Sequence, residues 1–369
     1  MKVLILGCGF AGLEAAKELR NHSKELEIAM IDRRTRFEYL AALPEILSGK
    51  VSPEELSADL NKFAASINAN FINAEIVTID FTAKIVKTGI EEGEIPYDYL
   101  VLSVGAEQTF FGISGAEEHS YSVNTLEGAQ SAKETLDTLD YSKKVNVAVI
   151  GAGLTGVEVA GELVDYFKYK SASARICLVE MQPLVLPAFS SENLANSVRK
   201  SLSGRGVEIL TETAVQEVGD DTILFVGGKK RPYDIIIWTA GIKPNTLLQK
   251  LDLPKEKGWL KVDSYLRVAG QEAIFAIGDT AYFESDSGRS GQNVEEAEGQ
   301  GKVAAENIIR AIKGERLKSY RPKNTIQNPR ALISLGDDKA VIYFAGKVVT
   351  IGAYLLKKFV EHRYMRRFL

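Results

Sequence analysis

Six glycines and two acids recur in this sequence in one arrangement, used twice. Gly7, Gly9 and Gly12 read G-x-G-x-x-G, and Gly151, Gly153 and Gly156 read the same. Each triplet follows an apolar run, residues 3–6 or 145–150, and precedes a helical pattern, residues 13–19 or 157–167. The next apolar run, 26–31 or 175–179, ends in Asp32 or Glu180. The first glycine permits a tight turn, the second lets a pyrophosphate approach the backbone, and the third lets helix and strand pack closely. A helix start offers free N–H groups and a positive dipole end to phosphates. A carboxylate about 20 residues further on serves ribose hydroxyls. The chemistry is dinucleotide binding, and two such units suggest two dinucleotides. Phe10, Ala11 and Arg33 complete the first candidate set; Leu154, Thr155 and Gly241 complete the second.

These residues need parallel strands to position them. Ser103-Val104-Gly105 and Thr239-Ala240-Gly241 each end a buried run in small residues, leaving space at the carboxyl edge of a sheet. Ile277-Gly278-Asp279 ends a third such run. The pattern predicts an α/β fold with two Rossmann-like dinucleotide-binding domains and a small C-terminal α+β region. The segments divide as 1–110 and 259–325 for the first domain, 111–258 for the second, and 326–369 for the tail. Ser52-Pro53-Glu54-Glu55 predicts a helix start, with Ser at the cap and Pro at the first position. Residues 91–96 predict a turn, and residues 294–312 a long helix.

Composition narrows the class. The chain has 369 residues and a net charge of -4, which gives no sign of nucleic-acid binding. The N-terminus enters a strand at Lys2, leaving no room for a signal peptide. No apolar run approaches the ~20 residues that span a bilayer. The two cysteines, Cys8 and Cys177, are far apart in the chain, which fits a reducing cytoplasm and excludes a neighbouring redox-active pair. The three histidines fall in no motif, and no metal cluster is expected.

The two glycine loops, the three strand ends, Thr155 to Leu163, and Leu178-Val179-Glu180 followed by Pro183, Val185-Leu186-Pro187 and Phe189 together resemble the type II NADH dehydrogenases, which are NADH:quinone oxidoreductases. These belong with the related sulfide:quinone oxidoreductases among two-dinucleotide-domain flavoproteins. The resemblance spans essentially the whole chain. It implies FAD in the first domain, NADH in the second, and a quinone reached from a membrane surface. It also implies a peripheral protein on the cytoplasmic face of the cell membrane.

The resemblance places Leu43, Pro44 and Ala297 near the flavin, Ile76 or Val77 near adenine, and Gly278 and Asp279 at the ribityl chain or phosphates, with a ribityl hydroxyl the fitting partner for Asp279. It gives Glu158 a role in nicotinamide binding or proton supply. Glu180 predicts NADH over NADPH, since a carboxylate repels the extra phosphate and no arginine follows before Pro187. The family's Ala-Gln-x-x-x-Gln-Gln segment corresponds to Val294-Glu295-Glu296-Ala297-Glu298-Gly299-Gln300, where Glu295 and Gly299 replace two glutamines. Glu295 is then the candidate acid for quinone reduction. The tail sets Leu356, Val360, Tyr364 and Phe368 in an i+4 row beside Lys357, Lys358, Arg363, Arg366 and Arg367. Such a basic amphipathic helix suits an anionic membrane, or docks on the body or a second copy in a homodimer. Three alternatives share the two pockets: a sulfide:quinone oxidoreductase, a soluble NADH-dependent reductase of an electron carrier, and a redox-sensing FAD/NADH-binding protein.

Overall fold

The computed structural model describes residues 1–90 and 93–368. The chain opens with β1 (Lys2–Leu6), α1 (Phe10–His22), β2 (Glu27–Asp32), α2 (Pro44–Ser48), β3 (Asn70–Asn73) and β4 (Tyr99–Leu102). It then builds β5 (Tyr121–Ser122), α3 (Leu126–Thr138), β6 (Val145–Ile150), α4 (Leu154–Tyr169), β7 (Ala174–Val179), β8 (Glu208–Leu210) and β9 (Ile235–Trp238). β10 (Ile274–Ala276) returns to the first sheet and is followed by α5 (Val294–Ile312). The chain closes with β11 (Ala331–Gly336), β12 (Lys339–Phe344), β13 (Lys347–Val349) and α6 (Ala353–Met365).

Two five-stranded parallel sheets result, in the orders β10-β4-β1-β2-β3 and β5-β9-β6-β7-β8. Their registers correspond: Leu6 pairs with Ile31 and Leu102, and Ile150 with Val179 and Trp238. Residues 3–6 are fully buried, as a parallel strand covered on both faces requires. The two connections between the units are paired: Ala106–Gln108 runs antiparallel to Ile242–Pro244. Gln108 Nε2 donates to the carbonyls of Ala240 and Gly241, each at 2.8 Å, and Trp238 Nε1 donates to Thr109 O at 3.0 Å. These bonds tie together the strand ends that carry Gly105 and Gly241.

The antiparallel sheet β11-β12-β13 packs against α4. The approach is close enough that a Cβ on Gly161 would meet Leu335 backbone at 2.4 Å. Lys50 bridges to the same helix, 3.2 Å from Glu162 and 2.6 Å from Asp165.

Two local expectations are corrected. Ser52 and Glu55 do form reciprocal capping bonds, at 2.7 and 3.4 Å, but no helix follows. The chain is needed instead at Ser57–Asp59, which pairs with Arg36–Glu38. The expected turn at 91–96 begins outside the described residues, and Glu94–Pro96 is a strand paired with Ile85–Thr88.

Candidate functional site

The two glycine loops match at the level of single atoms. Gly7 and Gly151 have φ of 95° and 99°, and a Cβ on either would strike the neighbouring strand end, Ser103 O at 2.3 Å or Ala240 Cα at 2.8 Å. A Cβ on Gly12 would meet Gly7 O at 2.0 Å, and one on Gly156 would meet Gly151 O at 1.8 Å. At Gly9 and Gly153 it would meet nothing within 4 Å. Both of these glycines cap a helix without any side-chain bond, and neither first turn holds an acid. Each loop therefore presents bare N–H groups across an open face, the arrangement that accepts a pyrophosphate. This is the observation that fits the pockets to dinucleotides.

The acids repeat as closely. Asp32 Oδ2 accepts the Cys8 N–H at 2.8 Å and Oδ1 accepts the Arg34 N–H at 2.9 Å. Glu180 Oε2 accepts the Ala152 N–H at 2.8 Å and Oε1 accepts the Gln182 N–H at 2.9 Å. Each carboxylate is held at its loop with lone pairs left over for hydroxyl donors. Ser103 and Thr239 are equivalent too. The Ser103 hydroxyl lies 3.0 Å from Leu6 O and 2.8 Å from Gly7 O, and that of Thr239 lies 2.9 Å from both Ile150 O and Gly151 O.

The third strand end joins the first pocket. Gly278 has φ of 63°, and a Cβ there would lie 3.0 Å from Ala11 Cβ and 3.7 Å from Ala297 Cβ. Thr280 Oγ1 accepts the Gly105 N–H at 2.9 Å. Phe10, Ala11, Gly105, Gly278 and Ala297 are thereby gathered around one loop. Asp279 is half-buried, and burial pushes its carboxyl up to about 6. Leu43 and Pro44 are buried at the start of α2, while Arg33, Val77 and Leu154 are exposed. Thr155 follows Leu154 in the opening turn of α4. Near Gly241, a Cβ would run into the Phe111 ring at 2.3 Å, so that aromatic covers the strand end.

Glu158 lies on the second turn of α4 and faces the tail. Its Oε1 accepts the Ser334 N–H at 2.9 Å and stands 3.7 Å from Lys357 Nζ. Lys357 is itself buried, 3.0 Å from Glu45 and 2.7 Å from Glu361. Lys358 pairs with Glu45 and lies 2.9 Å from Glu361. Two cations thus serve three carboxyls, and Glu158 has the longest contact. Burial pushes Glu158 up to about 7 even though Lys357 pulls it down. The two lysines hold Glu45 below its ordinary value against its own burial.

Glu295 does not occupy an apolar pocket. Its side chain is 42% exposed and pairs with Arg330 at 3.0 Å, which corrects its reading as the acid for quinone reduction. The buried acid of that segment is the next residue, Glu296. One side of the tail docks on the body. Lys357, Lys358 and Arg367 turn inward onto acids of the body; Arg367 lies 2.9 Å from Glu14 and 2.6 Å from Glu298. Tyr364 and Phe368 pack on Phe10, Phe37 and Phe63 at centroid distances of 5.1 to 5.7 Å. Leu356 and Val360 of the same i+4 row stay exposed.

Glu45, Glu361 and Glu296 were not among the candidate residues of the sequence, and Lys357 entered only as a surface cation of the tail. The i,i+4 spacing of Lys357 and Glu361 is visible, but nothing local shows that it faces inward. Both cysteines are buried, and burial raises their thiol pKa values, that of Cys177 to about 11.

Comparison with known proteins agrees with this geometry. The chain is 29% identical over 386 aligned positions to a type II NADH:quinone oxidoreductase of Staphylococcus epidermidis, covering 98% of this chain and 94% of that one. It is 29% identical to the demethylphylloquinone reductase NdbB of Synechocystis sp., covering 98% and 91%. Its fold matches NDH2 of Plasmodium falciparum with a TM-score of 0.86 at 20% identity, covering 100% and 97%. It matches the sulfide:quinone oxidoreductase of Aquifex aeolicus with a TM-score of 0.86 at 21% identity, covering 100% and 91%. Residues 1–301 match the pyridine nucleotide-disulphide oxidoreductases, and the chain belongs to that family.

Proposed function

We propose that this protein is an FAD-dependent NADH:quinone oxidoreductase that does not pump protons. The observation that carries the reading is the atom-level duplication of the phosphate loop, with the two loops' strand ends tied together at Gln108. Bound FAD would supply the two-electron redox chemistry that links NADH to the quinone. Everything else is the work of this chain. Residues 1–110 and 259–325 hold FAD, with the N–H groups after Gly9 on the phosphates, Asp32 on the ribose and Asp279 on the ribityl hydroxyls. Residues 111–258 hold NADH, with the N–H groups after Gly153 on its phosphates and Glu180 on its ribose. The carboxylate of Glu180 excludes a 2′-phosphate by repulsion.

Quinone reduction consumes protons, and Glu158 supplies one. It is buried, kept from full ion pairing, and half-protonated near neutral pH. Residues 326–369 reach the membrane. Among the described residues no helix is long and apolar enough to cross it. The outward face of α6 carries Leu355, Leu356, Phe359 and Val360, continued by Ile351 at 91% exposure, with Phe344 and Val349 exposed on the adjoining sheet. Arg363 and Arg366 are exposed on the same helix end. An apolar face flanked by cations suits attachment at an anionic bilayer surface.

The test is steady-state NADH oxidation with a short-chain quinone, run beside NADPH and sulfide as donors. The reading expects turnover with NADH and little with the other two. Turnover with sulfide alone would overturn it.

A further inference from the structure

Glu296 is 1% exposed on the first turn of α5. Its Oε1 accepts the N–H groups of Lys323 and Asn324, both at 2.8 Å. Its Oε2 accepts the hydroxyls of Ser290 at 2.8 Å and Tyr320 at 2.7 Å. A side chain on residue 299 would crowd Tyr320 Oη at 3.3 Å, so Gly299 keeps that hydroxyl in place.

These bonds have a fixed direction. A carboxylate only accepts, so Ser290 must give it the single hydroxyl proton. Ser290 Oγ is then an acceptor toward Gln300, whose Nε2 donates to it at 2.9 Å. With its NH2 committed there, the Gln300 carbonyl must face the other way, and its Oε1 accepts the Gly278 N–H at 2.7 Å. Gly278 is the left-handed residue that packs on Ala11, and Asp279 follows it. The only other acceptor recorded for the Ser290 proton is Gly291 O, at the longer distance of 3.4 Å.

We infer that Glu296 is a positioning residue for FAD: acting through Ser290 and Gln300, it sets the peptide of Gly278 and so aims Asp279 at the cofactor. The inference rests on the reading of Gly278 and Asp279 as part of the FAD pocket. It requires that the charge-free isostere fail although its volume is unchanged. In Glu296→Gln the new carbonyl stays on the Lys323 and Asn324 N–H groups, so the NH2 donates to Ser290 and frees its proton. Gln300 at 2.9 Å is nearer than Gly291 O at 3.4 Å, and when Ser290 donates there the Gln300 amide turns its NH2 toward Gly278. Converting Gln300 as well repairs the defect, because a carboxylate at 300 accepts from both Ser290 and Gly278.

The experiment measures the FAD dissociation constant by flavin fluorescence and the visible flavin spectrum for the full-length protein. The melting temperature without FAD serves as the folding control. E296Q should bind FAD about tenfold more weakly, the scale of one unpaired buried donor, with an altered flavin spectrum. The double variant E296Q/Q300E should return to within about threefold of the original affinity and recover the spectrum. Ser290→Ala, which cuts the series without touching Glu296, should weaken FAD as E296Q does. Unchanged affinity in E296Q or S290A overturns the inference, and so does a double variant no better than E296Q. A failure of the original protein to take up FAD at all would instead refute the FAD pocket.

Discussion

Lys357 Nζ stands 3.7 Å from Glu158 Oε1, and both groups are buried. One comes from the tail and the other from the helix behind the second glycine loop, so this contact joins the C-terminal helix to the nucleotide-binding body. Glu158 is the third carboxyl in a cluster with two cations, and it makes the longest contact with them.

The pH dependence of stability follows from that. Burial raises the Glu158 carboxyl from 4.5 to about 7, so the folded protein keeps a proton that the unfolded chain releases. Relative to higher pH, this group favours folding fully below 4.5, and the benefit is lost as pH climbs to about 7. In E158Q that slope between pH 4.5 and 7 should flatten in denaturant-unfolding curves. An unchanged slope would show that another group titrates there.

The same variant separates the two half-reactions. E158Q should slow quinone reduction by about a hundredfold, the lower range for loss of a positioned acid, while NADH consumption in the first half-reaction stays near normal. Single-turnover kinetics read each step. Equal loss in both would place Glu158 at the nicotinamide instead.

Lys357→Met removes one cation from beneath Glu45, Glu361 and Glu158. A buried pair broken on one side costs about 3–5 kcal/mol. The melting temperature should fall accordingly, and proteolysis should begin in α6. A melting temperature within error of the original would mean that the tail is held only by its aromatic contacts.

Gly9 and Gly12 should respond differently to alanine. A Cβ on Gly12 clashes with Gly7 O at 2.0 Å, so G12A should cost stability by about 1–3 kcal/mol even without cofactor. A Cβ on Gly9 meets no protein atom, so G9A should melt normally without FAD but bind it at least about tenfold more weakly. Parallel melting and FAD-titration curves check both.

The outward face of α6 is tested by L355E/F359E. Exposed leucine and phenylalanine side chains are each worth about 1.5–3 kcal/mol when buried in an apolar phase. The pair should lower sedimentation with anionic vesicles by about a hundredfold, with turnover on a water-soluble quinone retained. Equal sedimentation would assign that face to another partner, such as a second copy.

Much of the fold was legible because its determinants are local. A glycine loop, its flanking strand and helix, and the acid at the next strand end lie within one short stretch, and the structure repeats them with nearly identical hydrogen bonds. The acid cluster was not legible. Glu45 and Lys357 lie at opposite ends of the chain, and only tertiary packing turns the lysine inward. The tail looked like a basic surface helix because a helical wheel shows spacing but not which acids stand opposite. Glu295 and Glu296 differ by one residue, which is about 100° around a helix. The buried row Gln300, Ala304 and Ile308, extended back one turn, points to Glu296 as the inward acid.

The most direct test is anaerobic titration of the purified yellow protein with NADH, followed by a quinone. The account predicts that the visible flavin band bleaches at about one NADH per chain and returns when quinone is added. A protein that cannot be loaded with FAD, or a flavin band that NADH leaves untouched, would contradict it.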